Sequence, residues 1–168
     1  MPTAYTFLTE TDVRSRLRDE HLHDLVDFDP GAEIPNQTTE PEAYAAYQAA
    51  VAASETVKVS CESMAIAQIR SVLNNRYNTT ALFSATAGAR NSLLILHVLN
   101  IFTYLVHRRI NPRKIPEQVK DDHDETLAWL DRVAVGNEAP DFPAVEAPED
   151  NAGIPRVGGA YIPNGHYF

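Results

Sequence analysis

The sequence predicts an all-α fold, a small helical bundle of four to five helices with an extended C-terminal arm. Apolar residues recur at three- and four-residue steps through most of the first 136 positions, prolines and glycines fall between those segments, and no stretch reads as a strand. The elements follow in order.

Thr9 followed by Asp12 forms a capping-box variant, in which each residue satisfies a helix-start donor of the other. Val13, Leu17, Leu22, Leu25 and Val26 then supply the apolar positions of one helix or two short ones, ending at DFDPG. Residues 27–40 are loop-like. The run PEAYAAYQAAVAAS places Pro41 at a first helical position and continues with strong helix formers. Tyr44, Tyr47 and Val51 share a face, and the spacing continues through Val57, Cys61, Ala65, Ile69, Val72 and Arg76. Residues 41–76 are then one long helix or two broken near Ser54, and a break or kink there is expected. NTTALFSATAG is expected to be a connector. Residues 89–110 form the most apolar helix and the buried centre, stopped by NPRKIP. A last helix runs from Pro116 to about Val135, with Val119, His123, Leu127, Leu130 and Ala134 on one stripe and Gly136 as its stop.

After Gly136 the composition changes. The last 32 residues hold five of the eleven prolines, four of the seven glycines, and five acids against one Arg. This divides the chain into a helical domain, 1–136, and a Pro/Gly-rich tail, 137–168. Tyr161, Ile162, Tyr167 and Phe168 close that tail. They are too few to form a core of their own, so the segment is expected to dock on another surface.

Composition limits the chemistry. A net charge of -9 argues against a general nucleic-acid binder, and a single cysteine, Cys61, excludes an internal disulfide and multi-cysteine zinc patterns. The longest apolar run, Leu93 to Val106, is shorter than a membrane span and contains His97 and Asn100, so a soluble protein made in the cytoplasm, with no membrane partner, is expected. There is no Gly-rich phosphate loop or nucleophile elbow, and HLH at His21 and His23 lacks a third ligand at metal spacing. DDHDE at 121–125 fans round a helix and reads as a solvated face. His97, Asn100, Tyr104 and His107 lie on one stripe of the apolar helix, which suits a catalytic pocket, a subunit contact or a satisfied polar seam. Arg108, Arg109, Arg113 and Lys114 form the densest basic cluster. They read either as C-terminal capping of the helix dipole or as a contact to an acidic neighbour or a DNA phosphate. No catalytic constellation, metal or cofactor is expected.

Three stretches, IAQIRSVLNNRYN, FTYLVHRRINPRKIPEQV and DETLAWLDRVAVGNEAP, in that order, resemble the head-to-tail connector (adaptor, or head-completion) proteins of tailed bacteriophages, in particular the Mu-like prophage adaptor group. The positions that carry the resemblance are Leu73, Arg76 and Tyr77; Tyr104, Arg108 and Arg109; and Leu127, Trp129, Leu130 and Gly136. The resemblance covers about residues 8–140; set against the family, residues 27–53 are an insertion carrying a short helix, and the tail also departs from it. It implies a virion protein at the head-to-tail junction, in a homo-oligomeric ring of commonly twelve copies. That ring would bind the portal protein and a tail or further connector protein, with DNA passing through unread. Leu73, Tyr77, Tyr104, Trp129 and Leu130 are then core or seam, Arg108, Arg109, Arg113 and Lys114 are subunit or portal contacts, and the terminal aromatics dock on a neighbour or on the portal. A tail-proximal stopper or terminator ring, or a small helical enzyme or regulator using the His97 stripe, are the alternatives.

Overall fold

The computed structural model describes residues 5–17, 34–85 and 87–145. His21, His23 and the terminal aromatics Tyr161, Ile162, Tyr167 and Phe168 lie outside the described residues. Those that are described form an all-α bundle: α1 (Glu10–Arg16), α2 (Pro41–Leu73), α3 (Thr79–Ser84), a 3-10 turn (Ala87–Ala89), α4 (Ser92–Ile110) and α5 (Glu117–Val135). Helix α4 is the hub, packed against α1, α2 and α5, and α2 also packs on α5.

The capping box forms as the sequence implies. Thr9 accepts from the Asp12 N–H at 3.2 Å, and the Asp12 carboxylate accepts from the Thr9 N–H at 2.8 Å. Asn91 caps α4 by accepting from the N–H groups of Leu93 and Leu94, so this helix starts after the capping Asn and not at position 89.

Helix α2 corrects two expectations. It runs unbroken for 33 residues, about 50 Å, through Ser54 and ends at Leu73. Ser54 is buried, and no glycine or proline follows Pro41 within the run, so nothing forces a kink. Residues 41–53 are therefore the opening turns of this helix, not a separate short one. NTTALFSATAG is likewise more than a connector: Asn78 accepts from the Ala81 N–H and starts α3, which buries Leu82 and Phe83. In α5 the buried side is Thr126, Trp129, Leu130 and Val133, while Ala134 is exposed.

The core joins Val13 and Leu17 at α1, Cys61, Ala65, Ile69 and Leu73 of α2, Leu94, Val98, Ile101, Phe102 and Val106 of α4, and Leu130 and Val133 of α5. By length and composition α4 is apolar enough to cross a membrane, contrary to the expectation from its shorter apolar run. Yet nine of its residues are buried against three neighbouring helices, as in a central bundle helix.

One buried charge organises the N-terminus. Glu62, 0% exposed, points from α2 at the segment before α1. Its Oε1 accepts from the N–H groups of Phe7 (2.8 Å) and Leu8 (2.7 Å), and its Oε2 from the Thr6 N–H (2.7 Å) and hydroxyl (3.0 Å). Phe7 and Leu8 are themselves core residues. Their amides precede any helix, so without this carboxylate they would be buried donors with no intrahelical acceptor. Arg90 ties the same segment to α1, donating from Nη1 to the Phe7 carbonyl at 2.9 Å and to the Asp12 carboxylate at 2.6 Å.

The boundary at Gly136 also moves. Gly136 adopts φ 94°, and its N–H donates to the Val133 carbonyl while the Asn137 N–H donates to that of Arg132, a complete Schellman motif. The chain then folds back over the bundle. Phe142 is buried edge-on to Tyr77 (5.5 Å) and Trp129 (6.3 Å), and Ala144 pairs with Tyr77 in an isolated antiparallel bridge. Residues 137–145 thus belong to the packed domain, not to a tail.

Two substitutions test these joints. Glu62→Ala should lower unfolding free energy by about 3 kcal/mol or more, because several buried donors lose their acceptor together. An unchanged urea midpoint at constant slope would contradict the assignment. Gly136→Ala should cost about 1–2 kcal/mol from the left-handed backbone alone. Here the added Cβ would also fall 2.5 Å from Arg76 Nη1, so calorimetric melting should show at least that loss.

Candidate functional site

The polar stripe of α4 faces α5. His97 Nδ1 lies 3.2 Å from the Thr126 hydroxyl, which also accepts from Asn100 Nδ2 at 3.0 Å, and Asn100 Nδ2 is 3.4 Å from the Asp122 carbonyl. The His97 ring stacks on Trp129 (3.9 Å, 15°) and Tyr104 stacks on His123 (3.9 Å, 20°). His107 continues the row, half-buried. The arrangement is therefore a seam between two helices of one bundle. The direction of this bond follows the imidazole tautomer: the Thr126 hydroxyl donates to a bare Nδ1, or accepts from an Nδ1–H.

The seam is incompletely satisfied. His97 Nε2, Asn100 Oδ1 and Thr103 Oγ1 are buried with no hydrogen-bond partner among the described residues. Asn100 and Thr103 border a cavity of about 170 Å³ whose other walls are Arg16, Gln118, Val119 and Asp122. Arg16 closes it by pairing with Asp122 at 2.9 Å. A polar cavity of this kind suits bound water. Burial drives the His97 pKa down to about 4, opposed by the negative charge of Glu138.

None of this forms a catalytic set. Among the described residues no carboxylate is hydrogen-bonded to His97, and no nucleophile other than the Thr126 hydroxyl reaches it. Cys61 is buried in the core, and burial pushes its thiol up, away from the reactive thiolate. Of the DDHDE run, Asp121, Asp124 and Glu125 are exposed as expected. Asp122 and His123 instead turn inward, to Arg16 and Tyr104. Among the described residues no three metal-ligating side chains cluster.

The basic cluster sits at the end of α4 and in the loop after it. Arg108 and Arg109 occupy the last helical turn, Arg113 and Lys114 follow, and all four are exposed. Their place at the negative end of the helix dipole is the local reason for their position. Their exposure leaves them available to an anionic surface.

The residues singled out as core or seam are drawn into the bundle. Leu73, Tyr77, Trp129 and Leu130 are buried, and Tyr104 is half-buried. Arg76 reaches under Gly136, donating from Nη1 to the Val133 carbonyl at 2.9 Å. Sequence reasoning missed Glu62, Arg90, Thr126 and Phe142. Glu62 carries a legible signal, a lone acid adjoining the apolar row Cys61, Ala65 and Ile69, and Phe142 is the one aromatic early in the Pro-rich stretch. Thr126 and Arg90 carry none.

Comparison with protein-family models, with curated proteins and with solved structures finds no match for this chain.

The buried imidazole makes stability depend on pH. Its pKa of about 4 in the folded state lies below the ordinary 6.5, so the unfolded chain binds the extra proton. Its contribution should be complete above about pH 6.5 and fade as the pH falls towards 4. The loss should be on the order of 3 kcal/mol, the shift from 6.5 to about 4 converted at about 1.4 kcal/mol per pH unit. In His97→Gln, denaturation midpoints measured across that window should lose this slope. Trp129→Ala, which removes the stacking partner of His97 and the contact to Phe142, should cost about 3–5 kcal/mol in a thermal melt.

Proposed function

We propose that the protein is a structural virion component without catalytic activity: a head-to-tail connector subunit of a tailed bacteriophage. It forms a ring beneath the portal, joins capsid to tail and lines the path of the DNA. The observation that supports this best is the meeting of the motifs that carry the resemblance. Arg76 and Tyr77, just after α2, contact the Val133 carbonyl and the Phe142 ring, and Phe142 in turn contacts Trp129 of α5. Tyr104, from the middle stretch, stacks on His123 of the same α5. Three separated stretches of sequence thus join on one helix, which suits a module repeated round a ring.

Charge supports the same reading. A net charge of -9 per subunit, repeated round a ring, repels DNA at short range and avoids the counterion-release affinity that phosphate contacts would create. The reach of that repulsion is about 10 Å at 0.1 M salt, a distance suited to the wall of a conduit. Arg108, Arg109, Arg113 and Lys114 are the exposed exception, and their function in this reading is to hold an acidic surface of the portal or of the next subunit.

Negative-stain electron microscopy of the purified protein, alone and mixed with the portal protein of the same phage, tests the proposal. Rings with a central channel that cap the portal are expected. Particles that remain monomeric in both samples would overturn it, and rings that bind the tail protein but not the portal would favour a stopper or terminator. Replacing Arg108, Arg109, Arg113 and Lys114 together with Gln should abolish portal attachment in a pull-down while leaving stability within about 1 kcal/mol, the usual range for exposed positions.

A further inference from the structure

The outer side of α2 is not built like a solvated helix face. Between Glu42 and Arg70, every exposed residue of this helix is Ala, Ser or Thr, apart from Met64. Of the three charged side chains in between, Glu55 and Lys58 are half-buried and Glu62 is buried on the inner side. A face meant for water over so long a helix ordinarily carries Lys, Glu and Gln throughout. This chain has such residues in plenty elsewhere, as on α5. Met64 is itself among the most exposed large apolar side chains described.

The spacing within that face is regular. Starting at Glu42, the positions 46, 49, 53, 56, 60, 63, 67 and 70 follow at alternating steps of four and three, a heptad seam held over about four repeats. All positions between the two charged ends are small, so a second helix can approach closely, as small-residue seams permit. Beside the seam, Ser63, Ala67 and Arg70 border a groove of about 370 Å³ closed by Ile66 and Phe83, with Arg70 held over the Phe83 ring at 5.0 Å. The groove gives room to side chains flanking a partner's seam.

Charge identifies the partner and its direction. Two copies laid parallel would set Glu42 against Glu42 and Arg70 against Arg70. Laid antiparallel about Thr56, each Glu42 meets the other copy's Arg70, 28 residues and about 42 Å along the helix. We propose that the outer face of α2 is a self-association surface, on which a second copy of this chain packs its own α2 antiparallel about a two-fold axis through Thr56. Because one face serves both copies, the contact is isologous and closes at two. It cannot by itself close a ring, so it describes a pairing of the free protein and does not rest on the connector reading.

Cysteine cross-linking of the full chain tests the register. Thr56→Cys, on the axis, should oxidise to a disulfide-linked dimer, whereas Ala43→Cys, exposed but off the seam, should not; the buried Cys61 leaves the wild type as a silent background. Light scattering should show a dimer for the wild type. Glu42→Arg and Arg70→Glu should each weaken it by about tenfold, and the double exchange should restore it. Ala53→Arg, at an exposed seam position, should give a monomer that keeps its helix content and melts cooperatively at a temperature independent of protein concentration, which separates loss of pairing from loss of folding. A wild type that stays monomeric, equal cross-linking at positions 43 and 56, or failure of the double exchange to rescue would each overturn the proposal. Rings seen by microscopy in a protein that fails these tests would leave the connector reading standing and this one refuted.

Discussion

The fold depends on a buried carboxylate whose charge is tolerable only because both of its oxygens are fully used. Glu62 lies within the packed interior and receives hydrogen bonds from the amides of Thr6, Phe7 and Leu8 and from the Thr6 hydroxyl. Successive main-chain amides aimed at one anion form a concave site that stabilises negative charge without a cation. The exchange is mutual: the amides gain an acceptor, and Phe7 and Leu8 can enter the core beside them. The charge is felt nearby, since burial first, then the charges of Glu10 and Glu62, push the Tyr5 phenol up. On the other side, burial alone would raise the Asp12 carboxyl, but hydrogen bonds from Arg90 and Thr9 and the Arg90 charge outweigh it and hold it below the usual range. A segment with almost no secondary structure is thereby fixed to α1, α2 and the start of α4.

The contact between α4 and α5 is built on a different compromise. An apolar pairing there would be more stable than one with His97, Asn100, Thr103 and Thr126 buried and three of their polar atoms unpaired among the described residues. The seam does fix the register: stacking of His97 on Trp129 and Tyr104 on His123, two turns apart, allows α5 only one position along α4. Arg16, reaching from α1 to Asp122, closes the same seam from outside. Trp129, Leu130 and Val133 still carry α5 into the common core, so apolar packing holds the helix and the polar seam sets its register.

Helix identity was legible because the 3.6-residue period, Thr9 with Asp12, Pro41 and Gly136 are local signals with local causes. The break expected at Ser54 failed for the opposite reason. A serine between apolar stretches resembles a boundary, but its burial on the inner face of α2 is decided by neighbours distant in sequence. Glu62, Arg90 and Thr126 were hidden in the same way, because each acts on groups at least 26 residues away: Glu62 on residues 6–8, Arg90 on Phe7 and Asp12, Thr126 on His97 and Asn100. Of the candidate contact residues, the exposure of Arg108, Arg109, Arg113 and Lys114 agrees with a surface role, whereas the polar stripe beside them turned inward.

Composition misled most where it was most distinctive. The shift after Gly136 reads as the end of the domain, yet Phe142 fills the space between Tyr77 and Trp129, and the Asn78 and Val145 amides bond to the Pro143 and Arg76 carbonyls. Prolines do not prevent a segment from packing; they prevent it from donating, and here the donors come from other residues. This strap, residues 137–145, also secures the corner at which α2 ends. Arg76 caps α5 through its side chain and accepts from the strap through its carbonyl, so one residue couples the end of the longest helix to the end of the last one.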